Sequence, residues 1–175
     1  MTQGYTKSLV FTALFAGLAY VSNLFMLIVP NVSPAFFIIF LAGYILGPRW
    51  GFLSGGLGFF LISYFSPFGM AMLPLLAVQI MGGGVTGSIG ALARNIFPVR
   101  LNDWRTYMLY GFWGFAVTSI YMGAVSLADA LLFGPFRERF LISLGFSILT
   151  IGSNIIIFSL LTPLNKSLRE FVKRV

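Results

Sequence analysis

The chain has 175 residues, of which 58% are hydrophobic and only 9% are charged, and its net charge is +7. About a quarter of the residues of a soluble domain are charged, so this composition excludes a water-soluble fold and indicates an integral membrane protein. Cysteine and histidine are absent, which excludes disulfides and sulfur-ligated metal sites. The basic charge is typical of the cytoplasmic loops of membrane proteins, so we predict no nucleic-acid partner.

Apolar stretches separated by proline and glycine predict an all-α bundle of six transmembrane helices, which forms one domain over residues 1–175. A crossing needs about 20 apolar residues. The first stretch has no small-residue cleavage site and is read as a retained helix rather than a signal peptide. The second and third stretches are short for full crossings. The predicted helices cover approximately residues 8–29, 35–46, 50–64, 70–96, 106–133 and 140–164, followed by a basic tail.

The distribution of basic residues predicts the orientation in the membrane. An even number of helices places both termini on one side. If that side is the cytoplasm, only Arg137 and Arg139 of the 11 lysines and arginines lie outside. This arrangement satisfies the positive-inside rule. We therefore expect cytoplasmic termini, with the loops around Pro30, Pro67 and Pro135 on the outer face.

Small residues recur at helical spacing, and in lipid such residues let helix backbones approach closely. They serve either internal packing or an interface with another membrane protein. The pair Ala13 and Gly17 on the first helix is the best placed for such an interface. The run Gly82–Gly87 lacks the Gly-Lys-Ser/Thr that completes a phosphate loop. The small residues are Ala13, Gly17, Gly47, Gly51, Gly55, Gly83, Gly87, Gly90 and Ala91.

The side chains that enzymes need are missing. The only acids are Asp103, Asp129, Glu138 and Glu170. They form no pair in the sequence, and no base is placed to activate a serine or threonine. We therefore predict no catalytic residue, no metal site and no cofactor. Ion-coupled transport relies on ionisable residues within the membrane. Asp129 is the only acid near a helix interior, so the sequence gives little support for it.

A rigid aromatic turn, Tyr64-Phe65-Ser66-Pro67-Phe68-Gly69-Met70, is the best candidate for ligand recognition. The rings of Tyr64, Phe65 and Phe68 suit stacking on a planar ligand, and Pro67 and Gly69 are typical turn residues. The alternative is an aromatic belt at the membrane interface.

Three polar side chains complete the candidate binding set. Gln79 and Asn154 lie within predicted helices four and six, where a buried amide needs a partner. Each forms either a hydrogen bond between helices or a ligand contact. Asp129 either pairs with Arg137 or Arg139 or receives a cationic group of the ligand.

Four segments together resemble one known family over nearly the whole chain. They are Thr12-Ala-Leu-Phe-Ala-Gly-Leu-Ala19, the glycine-rich passage from Phe40 to Gly51, the turn Ser66-Pro67-Phe68-Gly69, and the stretch from Gln79 to Gly90. These segments are similar to those of the substrate-binding S-components of energy-coupling factor (ECF) vitamin transporters.

The resemblance implies a multi-pass protein of the prokaryotic plasma membrane that binds a vitamin-like ligand near the outer surface. It also implies a transmembrane coupling subunit and two cytoplasmic ATPases as partners. The family docks through an alanine-x-x-x-alanine motif on helix one, to which Ala13 and Gly17 are the nearest match. Two alternatives stay open. A structural protein of the cell-shape machinery predicts a filled outer cavity, and a self-sufficient secondary transporter predicts dependence on Asp129.

Overall fold

The computed structural model describes residues 2–96 and 104–174, which form six α-helices, a 3-10 turn and no strand. The expected all-α architecture is thereby confirmed. Four of the helices, α1, α4, α5 and α6, are long and apolar enough to cross a membrane. The helices are α1 (Thr2–Phe25), α2 (Ala35–Leu46), α3 (Pro48–Tyr64), α4 (Leu73–Ile96), α5 (Trp104–Phe133) and α6 (Phe136–Arg174), and the 3-10 turn is Met26–Ile28.

Several helix boundaries differ from the sequence expectation for local reasons. α1 begins at Thr2 and ends at Phe25, before the 3-10 turn. α3 begins at Pro48 because the first helical position needs no N–H donor and suits proline. α6 continues through Pro163 to Arg174, far beyond the predicted end at 164. The basic tail that it absorbs consists mainly of residues with good helix propensity.

The short helix α2 lies at the centre of the bundle, and most of its residues are buried. At 1.5 Å per residue its 12 residues span about 18 Å, and α3 spans about 26 Å. Both are shorter than the roughly 30 Å of a hydrocarbon core. The ring of Phe37 lies 5.2 Å from that of Phe158 on α6, and Phe40 lies 6.1 Å from Tyr110 on α5. α2 therefore packs against both α5 and α6.

Glycines bring α2, α3 and α4 into backbone contact. A Cβ atom added at Gly51 would lie 2.5 Å from Cα of Gly43 and 2.6 Å from the carbonyl oxygen of Gly87. Gly55 and Gly83 oppose each other one turn further along, and Gly90 packs on the backbone of Phe40. These glycines serve internal packing, whereas a Cβ at Gly17 would meet no atom within 4 Å.

The helices alternate in direction, so the connections gather at two ends of the bundle. We call the end with the segments 26–34, 65–72 and 134–135 the loop end. The other end, with the start of α1 and the α2–α3 turn at Gly47, is the terminal end. α5 and α6 pack as an antiparallel pair, with Gly114 against the backbone of Asn154.

Candidate ligand-binding site

A cavity of about 420 Å³ opens at the loop end. It lies between the end of α1, the segment 29–34, the tip of the aromatic turn and α6. Its volume falls within the range of about 300–1,000 Å³ that is usual for small-molecule sites. The polar residues Asn23, Asn31, Ser33 and Thr150 line it together with apolar residues, among them Val29 and Phe68.

Hydrogen bonds hold the segment 29–34 across the cavity. The Ser33 hydroxyl donates to Oδ1 of Asn23 on α1 at 2.9 Å. The Ser153 hydroxyl of α6 donates to the carbonyl oxygen of Asn31, also at 2.9 Å. Asn31 has a φ of 61°, in the left-handed region where asparagine is enriched. The segment is therefore fixed to both walls of the cavity.

The three rings of the aromatic turn have different surroundings: one lines the cavity and the other two pack against each other. Gly69 N–H donates to the carbonyl oxygen of Ser66 at 3.0 Å, and Gly69 has a φ of 104°, a conformation that glycine adopts readily. Phe68 at the tip is 83% exposed and lines the cavity. Tyr64 instead stacks on Phe60 at 5.2 Å and meets Phe65 edge-on at 5.0 Å. Of the three predicted rings, only Phe68 lines this cavity.

Asn154 does not line the loop-end cavity. It lies on α6 one turn deeper than Thr150, which does, and its side chain is fully buried. Its Nδ2 donates to the carbonyl oxygen of Thr150 at 2.9 Å. Because that carbonyl can only accept, the nitrogen must face it and Oδ1 must point away. Oδ1 has no hydrogen-bond partner among the described residues. An unsatisfied buried acceptor costs about 1–3 kcal/mol, which makes Asn154 the most conspicuous polar group near the cavity.

Three further buried oxygens share this condition. Oε1 of Gln79 on α4 and the hydroxyls of Thr118 and Ser119 on α5 have no partner in the described part of the chain. Gln79 does not line the loop-end cavity. Sequence reasoning missed Thr118, since a single threonine in an apolar helix carries no distinctive pattern. It also missed Asn31 and Ser33, although asparagine between two prolines indicates a turn.

Asp129 forms an ion pair with Arg139, and its Oδ2 lies 3.2 Å from Nη1 of the guanidinium. This pairing is one of the two alternatives that the sequence left open. The guanidinium also lies 5.2 Å from the centroid of the Phe133 ring. Asp129 does not line the loop-end cavity, and the pair joins the end of α5 to the start of α6.

The arrangement suits recognition of a small molecule. It offers one aromatic ring, two amides and two hydroxyls, and the unpaired oxygen of Asn154 lies one helical turn below it. The described residues contain no group of three or more acidic side chains that could hold a metal ion.

The family model described as "ECF-type riboflavin transporter, S component" matches residues 4–170. The chain therefore belongs to this family. It is a multi-pass plasma-membrane protein that takes part in transport as a non-enzymatic subunit, as the resemblance implied. No curated protein and no solved structure shows significant similarity to this chain.

Proposed function

We propose that this S component binds riboflavin in the loop-end cavity, at the outer face of the plasma membrane. A transmembrane coupling subunit and two cytoplasmic ATPases then drive its import. In this proposal all six helices cross the membrane and both termini are cytoplasmic. Charge supports the orientation. Lys7, Arg49, Arg94 and Arg105 belong to the terminal end, whereas Arg137 and Arg139 belong to the loop end.

The observation that supports the ligand assignment is a cavity edged by Phe68, with the buried, unpaired Oδ1 of Asn154 one helical turn below the lining residue Thr150. Riboflavin joins a planar aromatic ring system with an imide N–H to a chain of hydroxyl groups. The ring suits stacking on Phe68, and the imide N–H is a donor for an unpaired oxygen. The hydroxyls suit the amides and hydroxyls that line the cavity, such as Asn23 and Ser33.

The test is a titration of the detergent-purified protein with riboflavin, followed by quenching of flavin fluorescence. We expect saturable quenching at one flavin per chain and no competition by thiamine, which lacks the flavin ring. Absence of saturable quenching, or equal competition by thiamine, would rule out the riboflavin assignment.

Replacing Asn154 by leucine is expected to weaken riboflavin binding by about 5- to 150-fold. This range corresponds to the cost of about 1–3 kcal/mol for leaving the imide N–H of riboflavin buried without a partner. The ligand-free variant should be at least as stable as the wild type, because leucine removes the unpaired oxygen. Fluorescence titration and a thermal melt measure the two effects.

Thr162→Val is the matched control for Asn154. Thr162 is equally buried on α6 and donates to the carbonyl oxygen of Phe158 at 2.8 Å, but it lies two turns nearer the terminal end. Its loss should leave the riboflavin affinity unchanged. Equal affinity losses in the two variants would show that Asn154 acts only through the packing of α6.

Replacing Asp129 by asparagine is expected to have a small effect. Partly exposed ion pairs are worth about 0–1 kcal/mol, so riboflavin uptake should stay near the wild-type level. Arg139→Gln, which removes the other partner, should behave in the same way. Complete loss of uptake in Asp129→Asn alone, with binding intact, would favour a self-sufficient secondary transporter.

A further inference from the structure

A second cavity, of about 280 Å³, lies at the terminal end of the bundle. It is bounded by the α2–α3 turn at Gly47 and Pro48 and by the last turns of α4. Ser88 and Arg94 give it polar groups, and Ala91 and Leu92 form an apolar wall. None of these residues lines the loop-end cavity.

The charge at this cavity is positive. The Arg94 guanidinium is exposed, and its hydrogen bond to the carbonyl oxygen of Ile45 is long, at 3.5 Å.

α3 begins at Pro48, which has no N–H, and the Gly51 N–H donates to the carbonyl oxygen of Gly47. The N–H groups of Arg49 and Trp50 therefore have no partner within the helix and favour an anion. Arg49 follows Pro48 but does not line the cavity, and its exposed guanidinium lies 5.8 Å from the ring of Trp50.

No described carboxylate offsets this charge nearby. The acids whose side chains are described, Asp129 and Glu138, both belong to the loop end, where Asp129 already pairs with Arg139. In the membrane orientation proposed above, the basic cavity lies at the level of the inner phospholipid headgroups.

A third cavity, of about 350 Å³, lies further along α4, nearer the loop end than the basic cavity. It lies between α4 and α5 and has apolar walls that include Met81, Val85 and Ile120. Met81, Val85 and Leu92 are exposed on one face of α4 that runs from this cavity to the basic one.

The spacing of the two cavities matches one leaflet of a bilayer. Arg94 in the basic cavity and Val85 at the near edge of the apolar cavity are separated by about 14 Å along α4. One leaflet contributes about 15 Å of hydrocarbon. A phospholipid whose phosphate lies at Arg94 therefore brings its acyl chain into the apolar cavity.

We propose that this face of α4 is a binding site for one anionic phospholipid. The phosphate contacts Arg94 and the first turn of α3, and one acyl chain lies over Leu92 and Val85. Basic pockets at the cytoplasmic side of membrane helices are suited to anionic headgroups. A soluble anion would use the basic cavity alone and would leave the apolar groove unexplained. The site does not depend on riboflavin and rests only on the proposed orientation.

The test is native mass spectrometry of the riboflavin-free protein in detergent mixed with phosphatidylglycerol or phosphatidylcholine. We expect one retained phosphatidylglycerol per chain and much less phosphatidylcholine. Arg94→Gln should reduce phosphatidylglycerol retention about fivefold, which corresponds to one basic side chain near an anionic headgroup. Arg139→Gln, which removes a charge at the loop end, should leave retention unchanged.

Two further measurements distinguish the contribution of the acyl chain from that of the headgroup, and binding of a lipid from binding of free phosphate. Ala124→Phe, which fills the apolar cavity, should lower phosphatidylglycerol retention although it changes no charge. Millimolar inorganic phosphate should not displace the lipid. Equal retention of the two lipids, wild-type retention by Arg94→Gln, or displacement by phosphate would each overturn the proposal. Thermal melts of both variants confirm that they are folded.

Discussion

Replacing Gly87 by alanine is expected to destabilise the protein by about 3 kcal/mol, at the upper end of the usual cost of overpacking. A Cβ at this position would collide with the carbonyl group of Gly51 and would lie 3.1 Å from its Cα. The neighbour is helix backbone and cannot turn aside as a side chain does. α2 also rests against Gly87 through Gly43, so all three helices would have to separate.

The measurement is a thermal melt in detergent, in which the melting temperature should fall by about 10 °C. The control is Gly123→Ala on α5, where an added Cβ meets no atom within 4 Å. Alanine favours helix by up to about 1 kcal/mol over glycine, so this variant should melt at or above the wild-type temperature. Equal melting of Gly87→Ala and the wild type would contradict the close approach of α3 and α4.

Replacing Gly17 by leucine is expected to reduce riboflavin uptake by cells at least about tenfold. This corresponds to a loss of about 1.4 kcal/mol in the free energy of docking on the coupling subunit. We propose that Gly17 and Ala13 form the face of α1 that docks on the coupling subunit. Ala13 is exposed and Gly17 half-buried. A leucine at Gly17 would fill the groove that a partner helix needs for close contact.

Binding of riboflavin by purified Gly17→Leu should equal that of the wild type, because a Cβ at this position meets no atom within 4 Å. The uptake loss should be matched by poorer co-purification with the coupling subunit. Gly145→Leu is the control, since Gly145 is an exposed glycine of α6 that is equally free of neighbours. Equal uptake in the two variants would exclude a docking role for this face of α1.

Proline and glycine made both boundaries of α2 predictable. Pro34 precedes α2, and Gly47 with Pro48 separates α2 from α3, as local backbone rules require. The same rules failed at Pro163, inside α6. A helix continues through a proline in a membrane protein when neighbouring groups satisfy the freed backbone, and a local pattern does not reveal those neighbours.

The candidate site was only partly readable from the sequence. The turn itself was predicted from Pro67 and Gly69, but whether a ring packs on Phe60 or faces the cavity depends on tertiary structure. The bond from Ser153 to Asn31 joins residues 122 positions apart, and no local pattern encodes it. Asn154 was identifiable as a polar residue in an apolar helix, whereas its unpaired oxygen follows only from the geometry.

The shortness of α2 has a consequence for ion leakage across the membrane. The segment 29–34 under the loop-end cavity leads into α2, and α2 ends beside the basic cavity at Gly47. In the orientation proposed above, only about 18 Å of α2 lies between the two cavities along this axis, so resistance to ion leakage depends more on side-chain packing than on length. We expect the rings of Phe37, Phe40 and Tyr44, each almost fully buried, to provide that packing.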